Sequence, residues 1–110
     1  TWELPAGTLN KNENILLCAK RELEEETGYS SKQVKRIFGF HQAAGYSTEY
    51  LHLFIAKDLK KTKQNLDFDE TITAVKILSL DAALKMIYSG KTTDAKTILS
   101  LLLLKTRKLL

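Results

Sequence analysis

The chain has 110 residues, of which 44% are hydrophobic and 27% are charged, and its formal net charge is +4 at pH 7. This length and balance predict one globular domain over residues 1–110, with a single hydrophobic core. The sequence contains no run of ~18 apolar residues, the length needed to span a bilayer, and no signal-peptide pattern at its start. A membrane partner is therefore not expected.

The charge distribution indicates which partners the protein can bind, and the cysteine content indicates the compartment in which it works. Residues 1–55 carry a charge balance of −1, whereas residues 56–110 carry a balance of +5. A basic half can attract a polyanion, but no basic stripe interleaved with aromatic residues supports nucleic-acid binding, so we expect a solvated lysine-rich surface. The lone Cys18 lies among apolar residues, which predicts a buried side chain in a reduced, cytoplasmic protein.

The chain opens on a predicted strand end and a turn. Residues 2–4 are typical of a strand, and they run directly into a Pro-Ala-Gly turn at residues 5–7. Because a strand must pair with another, we expect further strands upstream, in a longer protein of which this is the core.

A helix is predicted over residues 13–27. Asn10 or Asn12 can cap its N-terminus, and Glu13 then lies where the helix dipole favours negative charge. Gly28 supplies the left-handed residue that ends it.

The remaining elements follow from β-branched runs, polar connections and caps. The predicted strands cover residues 34–41, 49–56 and 71–78. The predicted loops cover residues 42–48, 57–65 and 66–70. Two further helices are predicted, one over residues 80–88 after Ser79 and one from Thr93 or Asp94 to about residue 109. This order favours an α/β domain in which helices cover a sheet.

The predicted first helix gathers three carboxylates on one edge. At about 100° per residue, Glu22, Glu25 and Glu26 lie together beside the apolar stripe, and Glu24 points nearly the other way. Like charges at this spacing repel, and a bound cation would relieve the repulsion. Carboxylate ligands suit Mg²⁺ or Mn²⁺. A solvated acidic surface is the commoner fate of a Glu-rich helix, so the helix alone leaves both interpretations open.

Spacing over residues 7–29 is more specific than the helix alone. Eight positions match one pattern without a gap. In order they are Gly7, Glu13, Arg21, Glu22, Glu25, Glu26, Gly28 and the bulky Tyr29. This stretch resembles the Nudix box, and a motif of this length is a strong signal.

The likeness extends beyond the box to the ADP-ribose pyrophosphatase branch of the Nudix hydrolases. The further matching segments are residues 2–7, 45–49, 69–70, 89–90 and 94–97. Ala44 stands where that branch usually carries a proline. The resemblance implies a Nudix-type fold, a mixed β-sheet covered by helices as an α/β/α sandwich, with the family's N-terminal strands missing from residues 1–110.

The resemblance also implies a metal site. Glu22 and Glu26 would be the main Mg²⁺ ligands, with Mn²⁺ as the alternative ion, and the Ala6 carbonyl would complete the set. Glu25 would be a further ligand or would position the attacking water. Glu70, in the acidic loop, would be the catalytic base.

Further roles follow from the same likeness. Glu49, Gly45 and Tyr46 would bind substrate, and Glu49 would approach the second phosphate or a partner subunit's site. Structural support would come from Gly7, Glu13, Arg21 and Gly28, with Glu13 and Arg21 forming an ion pair.

The implied function is hydrolysis of a nucleoside diphosphate linked to another group, here ADP-ribose to AMP and ribose 5-phosphate, by a homodimer. Three alternatives stay open. The substrate can be another nucleotide, such as a nucleotide sugar, a dinucleoside polyphosphate or a nucleoside triphosphate. The domain can instead bind nucleotides as a regulator without turnover. It can also be an acidic cation-binding module without phosphate chemistry.

Overall fold

The structure is a computed structural model that describes residues 2–62, 75 and 77–109. Its described helices and strands confirm the α/β class. The helices are α1 (Ile15–Thr27), α2 (Leu80–Tyr88) and α3 (Ala95–Thr106). The strands are β1 (Tyr29–Ser30), β2 (Gln33–His41), β3 (Tyr50–Lys57) and β4 (Lys60–Lys61).

Two compact units divide the described chain. The box unit contains residues 5–62, and the terminal unit contains residues 2–4 together with residues 75 and 77–109. The single domain predicted over residues 1–110 stays a prediction. Each unit is described by itself below.

Helix α1 of the box unit begins two residues later than predicted. Its N-cap is Asn14, whose side-chain oxygen accepts a hydrogen bond from the Leu17 N–H at 2.9 Å. The prediction of Asn10 or Asn12 was wrong, because an N-cap needs extended backbone and Asn12 has a φ of 62°. Glu13 therefore lies just before the helix rather than in its first turn.

The predicted end of α1 is confirmed. Gly28 has a φ of 77°, in the left-handed region, and its N–H donates to the Glu24 carbonyl at 3.0 Å. Glycine reaches this conformation without the Cβ clash that other residues meet. The chain can thus turn directly from α1 into β1.

Strands β2 and β3 form an antiparallel hairpin whose bounds differ by one residue from the predicted strands. Its register runs from Gln33 opposite Lys57 to His41 opposite Tyr50, with an irregularity between Arg36 and Phe38. All pairings among the described strands are antiparallel.

Strand β1 pairs with β4 through only two residues on each strand. The prediction of a loop throughout residues 57–65 was therefore wrong at Lys60–Lys61, and the lysine-rich composition there gave no signal for so short a pairing. The Thr62 N–H donates to the Gly28 carbonyl at 2.9 Å and continues this contact. The predicted strand over residues 71–78 lies mostly outside the described residues, and residues 75, 77 and 78 are not in a strand.

The terminal unit contains α2 and α3. Ser79 caps α2 as predicted, and Asp94 caps α3. Helix α3 ends at Thr106 rather than near residue 109, because Lys108 has a φ of 52°. The buried residues of this unit are Leu84, Leu101, Thr92, Thr97 and Ser100.

Residues 2–4 of the same unit do not form the predicted strand. Single hydrogen bonds hold them instead: the Trp2 N–H donates to the Lys91 carbonyl at 3.4 Å, and the Leu4 N–H donates to Thr97 Oγ1 at 3.0 Å. No strand among the described residues pairs with this segment.

Candidate metal and pyrophosphate site

One arginine of α1 connects three carboxylates of the box. Arg21 donates two hydrogen bonds to Glu13, from Nε to Oε2 at 2.8 Å and from Nη2 to Oε1 at 2.9 Å. Its Nη1 donates to Glu22 Oε1 at 2.8 Å and to Glu25 Oε2 at 3.0 Å. The planar guanidinium presents several donors in a fixed fork, which a lysine does not. The arginine also reaches the Thr8 carbonyl at 3.1 Å, so it ties the loop before the helix to the helix.

These contacts fix the charge of the Glu13 and Arg21 pair. Hydrogen bonds from Arg21, and then from the Asn10 N–H, lower the pKa of Glu13 from 4.5 to about 2. The same pairing raises the pKa of Arg21. The side chains are only 14% and 26% exposed, so the pair stays ionised in a partly shielded place. Both charges are therefore present at any pH where the protein would work.

Cys18 lies in the same helix and is buried, as predicted. Burial, and then the nearby Glu13 carboxylate, raise the pKa of its thiol. A thiol held protonated is a poor nucleophile. The cysteine therefore packs the helix rather than performing chemistry.

The turn at Ala6 and Gly7 meets two further box carboxylates. The Ala6 N–H donates to Glu26 Oε2 at 2.9 Å. A Cβ on Gly7 would overlap the Glu22 carboxyl group, so a larger residue there would force the Glu22 side chain to shift. Glu22 and Glu26, one helical turn apart, thus converge on two consecutive residues of the loop.

The residues predicted to bind substrate lie in the connection between β2 and β3. Gly45 has a φ of 91°, and Tyr46 is 95% exposed. The N–H groups of Tyr46 and Ser47 both donate to the Ala43 carbonyl at 2.9 Å, and the Glu49 N–H donates to Ser47 Oγ at 3.0 Å. These bonds shape the connection locally. Glu70, the predicted base, lies outside the described residues.

Sequence reasoning paired Arg21 only with Glu13 and missed its bonds to two other carboxylates. The spacing held the signal for one of them, because Arg21 and Glu25 are four residues apart on a helix. Nothing in the sequence pattern indicates the bond to the Thr8 carbonyl. Glu22 and Glu25 therefore have a protein cation beside them, which the sequence pattern assigned to Glu13 alone.

Comparison with known proteins identifies the family. A NUDIX domain model matches residues 1–101. The chain belongs to the Nudix family. It is 38% identical over 98% of its length to an ADP-ribose pyrophosphatase of Bacillus subtilis (strain 168), and 40% identical to a methanol dehydrogenase activator of Bacillus methanolicus. It is 34% identical to a GDP-mannose pyrophosphatase of Salmonella typhi.

The chain spans 57–59% of the length of these curated relatives. Each alignment nevertheless covers 98% of this chain, so the likeness includes both units. Within residues 2–62, 75 and 77–109, no helix is long and apolar enough to cross a membrane.

Nudix hydrolases generally use divalent metals, and the box residues fit such an ion by their chemistry. Four carboxylates and one guanidinium leave this cluster with a formal charge of −3. They are Glu13, Glu22, Glu25, Glu26 and Arg21. Within the described part of the chain, no three His, Cys, Asp or Glu side chains already form a group that could hold a metal. The convergence of Glu22 and Glu26 on the Ala6–Gly7 turn is the observation that favours a cation there.

Proposed function

We propose that the protein hydrolyses the pyrophosphate bond of a nucleoside diphosphate linked to a second group, with a divalent metal as cofactor. The convergence of Glu22 and Glu26 on the Ala6–Gly7 turn carries this proposal. Oxygen donors from two carboxylates and a backbone carbonyl suit Mg²⁺, with Mn²⁺ as the alternative. Family membership and the pyrophosphatase names of two relatives support the reaction type.

Each box residue has a part in this proposal. Glu22, Glu26 and the Ala6 carbonyl would hold the ion, and Glu25 would be a further ligand or would orient the attacking water. A bound divalent ion neutralises the pyrophosphate and lowers the pKa of a water molecule. Arg21 keeps Glu22 and Glu25 on one side of α1 through its two bonds.

The supporting residues keep the loop beside the helix. Glu13 anchors the Arg21 fork, and Gly7 leaves space for the Glu22 carboxyl group. Gly28 ends α1 and starts the turn into β1. Several residues of the box therefore hold the carboxylates in place, as preorganised catalysis requires.

ADP-ribose is the proposed substrate, cleaved to AMP and ribose 5-phosphate. The 38% identity to an ADP-ribose pyrophosphatase favours it over GDP-mannose, for which the identity is 34%. Gly45, Tyr46 and Glu49 are the proposed substrate-binding residues. The homodimer and the cytoplasmic location also stay predictions.

The test is a panel assay on the full-length protein. ADP-ribose, GDP-mannose, NADH, diadenosine polyphosphates and nucleoside triphosphates are each incubated with Mg²⁺, with Mn²⁺ and with EDTA. We expect the fastest release of AMP from ADP-ribose, its loss in EDTA and its return on adding metal. Activity that chelation leaves unchanged would contradict the metal assignment. Faster cleavage of GDP-mannose than of ADP-ribose would make GDP-mannose the proposed substrate instead.

Catalysis by the acidic loop is tested separately with Glu70→Gln. A general base acts on the water and not on the ion, so the variant should lose most of its rate while its Mn²⁺ affinity stays within about twofold. Equal rates in variant and wild type would assign the base to Glu25. Glu25→Gln is measured in the same assay for that reason.

A further inference from the structure

The end of α1 carries one of the proposed metal ligands. Glu26 lies in the last turn of the helix, one residue before Thr27, and its Oε2 accepts from the Ala6 N–H. The last four carbonyls of an α-helix have no partner within the helix, so the last turn unwinds more easily than the turns before it. Unwinding here would carry Glu26 away from the Ala6–Gly7 turn. The groups that close the end of α1 therefore affect the metal site.

Thr27 connects α1 to the strand that follows it. Its Oγ1 donates to the Leu23 carbonyl at 2.5 Å and accepts from the Tyr29 N–H at 3.2 Å. A hydroxyl has one proton, and because the Leu23 carbonyl takes it, a lone pair is left to face the Tyr29 N–H. Threonines in helices commonly bond back to the carbonyl four residues earlier. Here the same oxygen also holds the first residue of β1, so the side chain spans the helix end.

Thr62 closes the same helix end from the residue after β4. The Gly28 carbonyl accepts from the Thr62 N–H at 2.9 Å and from Thr62 Oγ1 at 3.1 Å. Gly28 is buried, so leaving its carbonyl without a partner would be costly. The Gly28 N–H is bonded as well, to the Glu24 carbonyl. Two threonine hydroxyls thus hold the turn from α1 into β1 closed.

We infer that Thr27 and Thr62 act together as positioning residues for Glu26. They keep the last turn of α1 wound, and so keep the Glu26 carboxylate beside the Ala6–Gly7 turn. All of these residues belong to the box unit. The inference rests on the proposed function, in which Glu26 is a metal ligand. Groups that orient metal ligands contribute to affinity without touching the ion.

The test compares Thr27→Val with Thr27→Ser in the full-length protein. Valine keeps the β-branched shape of threonine but has no hydroxyl, whereas serine keeps the hydroxyl. Binding of Mn²⁺ alone is measured from the EPR signal of the free ion, at a temperature well below the melting point of each variant. We expect Thr27→Val to bind Mn²⁺ about fivefold more weakly, because Thr27 acts on the helix end and does not bond to the ligand itself. Thr27→Ser should stay within about twofold of wild type.

Thr106→Val is the matched control. Thr106 is the last residue of α3, and its hydroxyl also donates to a carbonyl of its own helix, that of Leu103 at 3.2 Å. The substitution removes the same group from a helix end that carries no proposed ligand, so the Mn²⁺ affinity should equal that of wild type. Equal Mn²⁺ affinity in folded Thr27→Val and Thr106→Val would overturn the inference.

Amide hydrogen exchange of the metal-free protein is the second readout. Exchange at the N–H groups of Gly28 and Tyr29 should be faster in Thr27→Val and unchanged in Thr27→Ser. In the hydrolysis assay, Thr27→Val should raise the metal concentration for half-activation, with little change in KM for the nucleotide. A role in overall stability alone would speed exchange throughout the molecule and leave the Mn²⁺ affinity of the folded protein unchanged. That result would also overturn the inference.

Thr62→Val decides the question if Thr27→Val does not fold. It removes the bond from Oγ1 but keeps the bond from the Thr62 N–H to the Gly28 carbonyl, so its effect should be smaller. We expect about threefold weaker Mn²⁺ binding from Thr62→Val, and binding within about twofold of wild type from Thr62→Ser. Equal Mn²⁺ binding by Thr62→Val and Thr106→Val would overturn the inference.

The outcomes also separate this inference from the proposed function. If wild type binds Mn²⁺ but hydrolyses no nucleotide of the panel, the proposed reaction fails, and the Thr27 comparison still decides the positioning role. If wild type hydrolyses ADP-ribose and Thr27→Val binds metal equally well, only the inference fails. A wild-type protein that binds no divalent ion would overturn both.

Discussion

The two polar clusters of this protein differ in what their charges achieve. In the box unit, Arg21 bonds to three carboxylates and still leaves a negative surplus. In the terminal unit, Lys96 lies between Asp94 and Glu3, and a buried threonine completes the set. The excess negative charge in the box favours binding of another cation, whereas the charges and hydrogen bonds of the second cluster are met by its own residues.

This difference distinguishes a cluster that can bind a ligand from a cluster that only supports the fold. Side chains whose hydrogen bonds and charges are all met within the fold hold their neighbours in place but have little left for a ligand. Carboxylates crowded around one guanidinium repel one another, and a divalent ion would lower that repulsion. Variants in the box should therefore change metal binding, whereas variants in the terminal cluster should change stability.

Glu26→Gln should have the largest effect. The substitution keeps the hydrogen bond that the side-chain oxygen accepts from the Ala6 N–H but removes the negative charge. Since changes behind a metal ligand already cost 10–100-fold, loss of a ligand should lower turnover by at least about 100-fold. The hydrolysis assay measures the rate, and circular dichroism checks that the fold is intact.

Glu24→Gln is the matched control, since it removes the same charge from the same helix on a different side. We expect it to stay near the wild-type rate. If Glu26→Gln is as fast as this control, the distinction between the two clusters fails, because the excess negative charge of the box would then bind no ion.

Replacing Arg21 should have an intermediate effect. Arg21→Met removes the cation between the carboxylates, so the metal-free protein should melt several degrees lower and gain more from added Mg²⁺ than wild type does. The pKa of Glu13 should return from about 2 towards 4.5, measured by carboxyl NMR. Arg21→Lys keeps the charge without the fork and should fall between the two. Unchanged melting and an unchanged Glu13 titration in Arg21→Met would refute the central role of this arginine.

Local chemistry made much of the fold predictable. Gly28 ends α1 because glycine alone reaches its φ cheaply, and Ser79 starts α2 because its hydroxyl can accept the Ala82 N–H. The hairpin strands followed from β-branched and aromatic runs and were displaced by only one residue. The family followed from the spacing of the box. Each of these depends on neighbours in sequence.

The errors arose where distant contacts decide. Three asparagines precede α1 within five residues, and all have the same capping chemistry, so local chemistry does not choose among them; the one that caps, Asn14, follows Glu13, which Arg21 holds. The bond from Leu4 to Thr97 joins residues 93 positions apart, and no local pattern signals it. The same holds for the reach of Arg21, since its side-chain conformation is set by the folded loop.

Asp94→Asn should have the smallest effect, and it appears only in acid. Burial opposes the charge of Asp94, but hydrogen bonds from Thr97 and Lys96 outweigh it and hold its pKa below the ordinary value of 3.8. The unfolded chain therefore takes up a proton first as the pH falls. The stability from this carboxylate is complete above pH 3.8 and is lost as the pH drops through the lower folded value.

Asparagine is an equally good N-cap, so at neutral pH Asp94→Asn should change the unfolding free energy by less than about 1 kcal/mol. Below pH 3.8 its stability should fall less steeply than that of wild type, measured by urea unfolding at a series of pH values. Asp81→Asn controls for the loss of one exposed carboxylate and should keep the wild-type slope. Parallel slopes for wild type and Asp94→Asn would mean that the terminal cluster does not hold this charge. The contrast with the box would then rest on the surplus carboxylates alone.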